Sequence, residues 1–415
     1  MLTAGQRRVF ASQGYRRLWA ATAISELASN LGRMAFILLV HELARASGEN
    51  PERDVAIVVL LETLPMLLLG PVAGALVDRF DRRRLLVGCD VLSLALMATI
   101  PWLATLDTRA PLFAVAMVFS AIGTVFHPAR QSAIPDLVPP ADLGDANGIS
   151  TTTSSLNLIL GMSLAGAGIE IFGKNGTFLA DAAVFGVSAV LMLGLALPRR
   201  RRRPRRASEL LREAARGLDY LRRRPVLVFL TLVHLLTYAF IGAWIPLLPA
   251  FAETHLGVDP DRGAPALFAA FGVGGILGGI AGPSWGRRLG RGRVVLAALV
   301  GAAAGMIAFA LVPSFAGSLA TIACGGALIF AVMVQDATIV QQAVPPRMRG
   351  RVFAARHPMQ ALGYLVATCT IIALADRYAP AELMLGAATT YAGAVLLAMA
   401  ALPGAHALAR RGWRS

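Results

Sequence analysis

Gly70-Pro71-Val72-Ala73-Gly74-Ala75-Leu76-Val77-Asp78-Arg79-Phe80-Asp81-Arg82-Arg83-Arg84 closes one long apolar run, and a second follows it at once. Each run is long enough to cross a hydrocarbon layer of about 30 Å as a helix. Outward from this segment, apolar runs recur at 18–40, 55–77, 85–106, 111–133, 147–170, 177–197, 226–250, 264–285, 294–313, 315–340, 353–375 and 382–403. In lipid every backbone polar group must be satisfied within its own segment, so runs of this kind predict helices. A barrel would need short alternating strands, and these runs are continuous. The expected fold is an all-α membrane protein with twelve transmembrane helices.

Composition points the same way. Only 15% of the residues are charged and 56% are hydrophobic, whereas a soluble chain keeps roughly a quarter charged to stay wet. The net charge of +15 does not indicate nucleic acid, because the basic residues fall in short loops and form no aromatic-laced patch. Lys174 is the single lysine, and it is followed by Asn175, so no Walker A loop exists to supply ATP energy. The sequence has no HExxH, no G-x-S-x-G and no His/Cys/carboxylate cluster with metal spacing. An enzyme, a cofactor and a metal site are therefore not expected. Cys89, Cys324 and Cys369 lie inside apolar spans without paired spacing, which reads as inert packing. The first apolar run is too long for a cleaved leader, so it is expected to act as its own insertion signal.

Orientation follows from arginine placement. Thirty of the 39 basic residues sit in the two tails and in the loops on one side; six sit on the other. The remaining three, Arg33, Arg130 and Arg356, lie within spans or at their ends. Both termini are expected in the cytoplasm, in a multi-pass protein of a bacterial inner (plasma) membrane.

The longest inner segment, 198–224, divides the spans six and six, giving bundles at 1–197 and 225–415. It opens with the run Arg199 to Arg203. A helix follows that would place Leu210, Ala214, Leu218 and Leu221 on one face, suited either to a headgroup boundary or to a solvated tether. The bundles form a degenerate repeat. Gly70 to Gly74 with Asp78-Arg79 and Arg82 to Arg84 recur as Gly278-Gly279-Ile280-Ala281-Gly282 with Gly286-Arg287-Arg288 and Arg291, an offset of 208. Val138-Pro139-Pro140 with Gly144 recurs as Val344-Pro345-Pro346 with Gly350, an offset of 206. Paired bundles of this kind are what alternating access requires.

The segment from Gly74 to Arg84 resembles the major facilitator signature G-x-L-x-D-R-x-G-R-[RK], matching at Gly74, Asp78, Arg79, Arg82 and Arg83. Asp81 stands where that family usually has glycine. The resemblance implies a cytoplasmic gate in which Asp78 accepts from a helix start and Arg82 pairs with an acidic residue near the inner end of span four, for which Asp136 is the candidate. Phe126-His127-Pro128-Ala129-Arg130-Gln131-Ser132, Ala146-Asn147-Gly148, Tyr220-Leu221-Arg222 and Arg349-Gly350-Arg351-Val352-Phe353 are similar to the branch of enterobactin exporters and macrolide-efflux proteins. Family antiporters often carry G-x-x-x-G-P in span five. Here Gly161 and Gly166 remain, but Met162 replaces the proline, which leaves import open.

Ionisable residues inside spans are functional candidates by default. In span one Thr22, Ser25, Glu26, Ser29, Asn30 and Arg33 form a polar stripe expected to face a water-filled cavity. Arg33 and Glu62 lie at similar depth, about 6 Å outward of the midplane, and could pair. Glu62, with Glu26 as second candidate, is read as a proton-exchanging carboxylate. A carboxylate stripped of water and of its cation favours the protonated form. A static ion pair fixing helix register is the alternative. His234 and Tyr238 share a face of span seven, with Trp244 further along, and suggest an aromatic cavity wall or bundle packing. Ser150 to Ser155 either line the cavity or bond their own helix. Asp90, Asp181 and Asp336 are read as lying near span ends, explained by snorkelling or capping. The expected function is proton-driven efflux of a medium-sized hydrophobic or amphipathic compound such as a drug, macrolide or siderophore, by a monomer. Uptake, lysolipid flipping and a transport-incompetent sensor or assembly partner are the alternatives.

Overall fold

A computed structural model describes residues 4–195, 197 and 207–411. Among them every regular element is helical. In order they are α1 (Ala4–Ala11), α2 (Gln13–Ala46), α3 (Pro51–Arg79), α4 (Arg82–Leu103), α5 (Ala110–Ala133), α6 (Leu143–Leu193), α7 (Ala207–Arg222), α8 (Pro225–Thr254), α9 (Pro260–Leu289), α10 (Arg291–Leu311), α11 (Phe315–Ala343), α12 (Pro346–Leu374), α13 (Pro380–Ala401) and α14 (Pro403–Arg411). Two 3₁₀ turns, Ile134–Asp136 and Pro140–Asp142, join α5 to α6.

The starts are written locally. Proline opens α3, α8, α9, α12 and α13, at the position where its missing N–H costs nothing. Asp81 caps α4: its backbone is extended and its carboxylate accepts the Arg84 N–H at 3.0 Å. The residue that departs from the family signature thus has a structural use, since an aspartate cap is worth about 1 kcal/mol.

Helix α6 has 51 residues, about 77 Å at 1.5 Å per residue, far more than one crossing needs. It breaks at Gly173, whose φ of 68° and ψ of 170° lie in a region open mainly to glycine. The two arms are separate spans. Ten helices among the described residues, α6 counted once, are long and apolar enough to cross a membrane; with the two arms of α6 counted separately and the 29-residue α3 added, the total is twelve.

The chain forms two compact units. One comprises Met1–Leu43 and Leu61–Ala207, the other Ala44–Leu60 and Ser208–Ser415. In the first unit α6 reaches α2 closely because Gly161 has no side chain; a Cβ there would lie 2.6 Å from Asn30 Cβ and 2.7 Å from the Leu27 carbonyl oxygen. In the second unit α9 lies on α11 through glycines spaced by four. Gly274, Gly278, Gly282 and Gly286 face Ala323, Ala327, Ala331 and Gln335 in turn, and Gln335 Nε2 donates to the Gly282 carbonyl at 2.5 Å. Small residues at this spacing let backbones meet where lipid offers no hydrophobic drive.

In α7, Leu221 is buried and Leu218 is 52% exposed. Gly217 rests on the Arg351 backbone, 2.7 Å from its carbonyl carbon to a Cβ, and docks the helix on the start of α12. The run Arg199 to Arg203, and the side chains of Leu210 and Ala214, lie outside the described residues. Of the cysteines only Cys89 is buried, while Cys324 and Cys369 are exposed, so packing accounts for Cys89 alone.

Candidate functional site

Glu26 of α2 and Arg130 of α5 form an ion pair, with 6% and 9% of their side-chain surfaces exposed. The Ser154 hydroxyl of α6 accepts from Arg130 Nη1 at 3.0 Å and donates to Glu26 Oε2 at 2.8 Å. It also lies 3.0 Å from the Ser150 carbonyl, so this serine serves both its own helix and the pair. His127 Nδ1 lies 3.7 Å from Glu26 Oε1. Asn157 Nδ2 donates to the Ala23 carbonyl at 2.8 Å, and Trp19 Nε1 to Thr153 at 2.9 Å. Three helices thus meet on one carboxylate. Removing one partner of a buried pair costs about 3–5 kcal/mol, because the other charge is left uncompensated.

The Arg33–Glu62 pair lies seven residues further along α2, with Nε to Oε2 at 2.8 Å. It is more accessible, at 24% and 15%. The Glu62 backbone carbonyl accepts from the Ser120 hydroxyl, tying α3 to α5. The polar stripe of span one does not line a single open face. Thr22 turns back to the Leu18 carbonyl, Ser25 bonds Asp90, Glu26 faces α5 and α6, and Arg33 faces α3. Thr22, Ser25 and Glu26 are buried; Ser29, Asn30 and Arg33 are half-buried. The reason is that Ser25 and Glu26 differ by about 100° around the helix.

At the inner end of α5, Arg82 pairs with Asp136, with 8% and 0% of their side chains exposed. Arg83 Nη1 reaches the Leu195 carbonyl at 3.5 Å. Arg79 is exposed, its guanidinium 5.9 Å from the Phe80 ring centroid. The surroundings of Gly74 and the side chain of Asp78 lie outside the described residues.

Asp90, Asp181 and Asp336 are buried within the bundles, not snorkelling or capping. Asp90 accepts from Ser25 at 2.8 Å and from Ser188 at 2.6 Å. Asp181 is 3% exposed and packs against Gly32, where a side chain would displace it. Asp336 takes Arg356 Nη2 on both oxygens, at 2.9 and 2.8 Å, and the same nitrogen donates to the Leu230 carbonyl at 3.1 Å. Beside this pair in the second unit, the His234 and Tyr238 rings lie 4.7 Å apart, and Tyr238 lies 5.9 Å from Tyr364. His234 and Tyr238 are half-buried. Trp244 is buried against Phe268 and Phe271, at 5.8 and 5.1 Å, and belongs to the packing.

Sequence reading missed the partnerships of Arg130 and of Asp336 with Arg356. One signal was available: Asp336 follows Arg130 by 206 residues, the offset of the Val-Pro-Pro repeat. The two bundles place opposite charges at one repeat position.

Twelve spanning helices in two units, with ion pairs held inside them, define a multi-pass membrane protein. The sequence model of the Major Facilitator Superfamily matches residues 18–368, and the chain belongs to that superfamily. It is a transporter and not an enzyme. The chain is 25% identical over 264 residues to the MFS-type transporter YkuC of Bacillus subtilis (strain 168), which covers 61% of this chain and 60% of the relative's length. It is 24% identical over 374 residues to macrolide efflux protein A of Streptococcus pyogenes, covering 87% of this chain and 89% of the relative. Among solved structures, a bacterial homologue of the human lysosomal transporter Spinster superposes with a TM-score of 0.71 at 15% identity, covering 97% of this chain and 98% of the other. That likeness concerns the fold.

Proposed function

We propose that the chain exports a medium-sized hydrophobic or amphipathic compound, of the drug, macrolide or siderophore kind, by alternating access driven by proton entry. It acts as a monomer in a bacterial plasma membrane with both termini cytoplasmic. The bundles 1–197 and 225–415 and the linker 198–224 are its working parts.

The enclosed Glu26–Arg130–Ser154 cluster carries this reading. A carboxylate neutralised by one arginine, held among helices, has two low-energy states: ionised and paired, or protonated with Arg130 released to another acceptor. Exchange between them couples a proton to a change in helix contacts, which a static hydrophobic contact cannot do. Glu62 of α3 with Arg33 of α2 is the second, more accessible pair. Gly74, Asp78, Arg79, Arg82, Arg83 and Asp136 form the inner gate in this proposal. Ser29, Asn30, His234 and Tyr238 line the substrate path. The relationship to macrolide efflux protein A supports export over uptake.

The test uses inside-out vesicles energised with a pH gradient and a compound panel that includes erythromycin. Substrate-induced proton release is expected from the wild type and is expected to vanish in Glu26→Gln, with membrane expression and erythromycin binding retained. Full proton release in both Glu26→Gln and Glu62→Gln would overturn the assignment.

A further inference from the structure

We propose that Asp336–Arg356 in the second unit, together with Tyr238 and Tyr364, forms a binding subsite for an uncharged oxygen acceptor on the transported compound. The inference rests on the efflux reading and adds the chemical class of the group recognised.

The geometry begins with two helices climbing together. Arg356 of α12 reaches the Leu230 carbonyl of α8. About two turns further along α12, Gly363 presses on the Leu235 carbonyl, a Cβ there falling 2.6 Å away; Gly242 of α8 presses in turn on Tyr364, 2.9 Å from its Cα. These glycines bring α8 and α12 close enough to set Tyr238 against Tyr364.

Arg356 is 3% exposed. One of its terminal nitrogens supplies both bonds to Asp336 and the bond to Leu230. Its Nε–H has no acceptor among the described residues. A guanidinium presents five N–H groups in a fixed fork, and a buried donor left unmade costs free energy comparable to a lost hydrogen bond. An acceptor delivered by a ligand recovers it.

Charge decides what kind of acceptor. Asp336 already neutralises Arg356, so an anion would meet the Asp336 carboxylate and a second cation would meet the guanidinium. A carbonyl, ether or hydroxyl oxygen meets neither objection. His234, Tyr238 and Tyr364 remain half-buried, and tyrosines of this kind offer an apolar face with a polar edge. Together they suit a ring system bearing carbonyl or hydroxyl oxygens.

The experiment measures equilibrium binding of two probes to the full chain in lipid nanodiscs: erythromycin, rich in oxygen acceptors, and tetraphenylphosphonium, an aromatic cation with none. Arg356→Lys keeps the charge opposite Asp336 but removes the Nε fork. It is expected to weaken erythromycin about tenfold to a hundredfold, the range for a hydrogen bond to a charged donor, and to leave tetraphenylphosphonium within about twofold. Tyr238→Leu, which leaves the ion pair in place, is expected to weaken erythromycin as well, and it stands as the test should Arg356→Lys fail to fold. Unchanged erythromycin affinity in either folded variant, or equal loss of both probes in Arg356→Lys, would overturn the subsite alone. A wild-type chain that binds neither probe would overturn the efflux reading and the subsite with it.

Discussion

Adding one methyl group to Gly278 is a sharp test of the helix packing. A Cβ at that position would lie 2.6 Å from the Ala327 carbonyl carbon and 2.7 Å from Ala327 Cα. Ordinary van der Waals contact begins near 3.4 Å, so α9 and α11 must part locally by at least 0.8 Å, the difference between 3.4 and 2.6. These atoms and the Ala327 carbonyl oxygen, which lies closer still, are all backbone, and no rotamer change relieves them. Overpacking of this kind costs about 1–3 kcal/mol, and a backbone clash belongs at the upper end. Alanine recovers about 1 kcal/mol over glycine in a helix. The net loss is about 2 kcal/mol, which lowers a midpoint by about 4–8 °C for a unit of this size. The neighbouring Gly279 meets nothing within 4 Å, so Gly279→Ala is the internal control, neutral or stabilising by up to about 1 kcal/mol. Thermal unfolding in detergent, followed by size-exclusion fluorescence, reads both. Equal midpoints for Gly278→Ala and Gly279→Ala would refute the reasoning, since the two differ only in which face of α9 receives the methyl.

Two further outcomes follow from the ends of the helices. Arg82→Gln and Asp136→Asn each leave one charge buried, so each is expected to lose about 3–5 kcal/mol. The double variant should lose less than the sum, and a double-mutant cycle by thermal unfolding reads the coupling; strict additivity would count against the pair. Asp81→Ala removes the cap on α4 and is expected to cost about 1 kcal/mol, whereas Asp81→Asn keeps the acceptor and should stay near the wild type by the same measurement.

The spans were legible because about twenty consecutive apolar residues is a property of composition, readable without knowing any neighbour. The depth of Arg33 and Glu62 was legible for a related reason: counting residues from a span end gives height above the midplane. Rotation about the helix axis is what counting does not give, and the Glu26–Arg130 pair depends on it. Glu26 has to turn toward α5 while Ser25, one residue earlier, turns toward Asp90 on α4. Asp90 shows the same limit from the other side. A lone aspartate reads as snorkelling until Ser25 and Ser188, from two other helices, are seen bonding its two oxygens. Asp81 was legible as a departure from a signature, but its role as a cap required the extended backbone that precedes α4.

The three arginines left inside spans by the loop tally are Arg33, Arg130 and Arg356, and each has a carboxylate from its own unit: Glu62, Glu26 and Asp336. A lone charge at that depth is expensive, and pairing explains how the bundles hold three. Stability does not explain why they are ionic at all, because well-packed apolar residues often serve as well or better in such places. Their exposures differ: Glu62 keeps 15% of its side chain exposed and Glu26 only 6%, and Glu26 is held by both Arg130 and Ser154. Asp336 spends both oxygens on a single Arg356 nitrogen, which fixes the arginine and leaves its Nε–H to be satisfied from elsewhere. The repeat position shared by Arg130 and Asp336 carries opposite charges in the two bundles, and each finds its partner on another helix of its own unit.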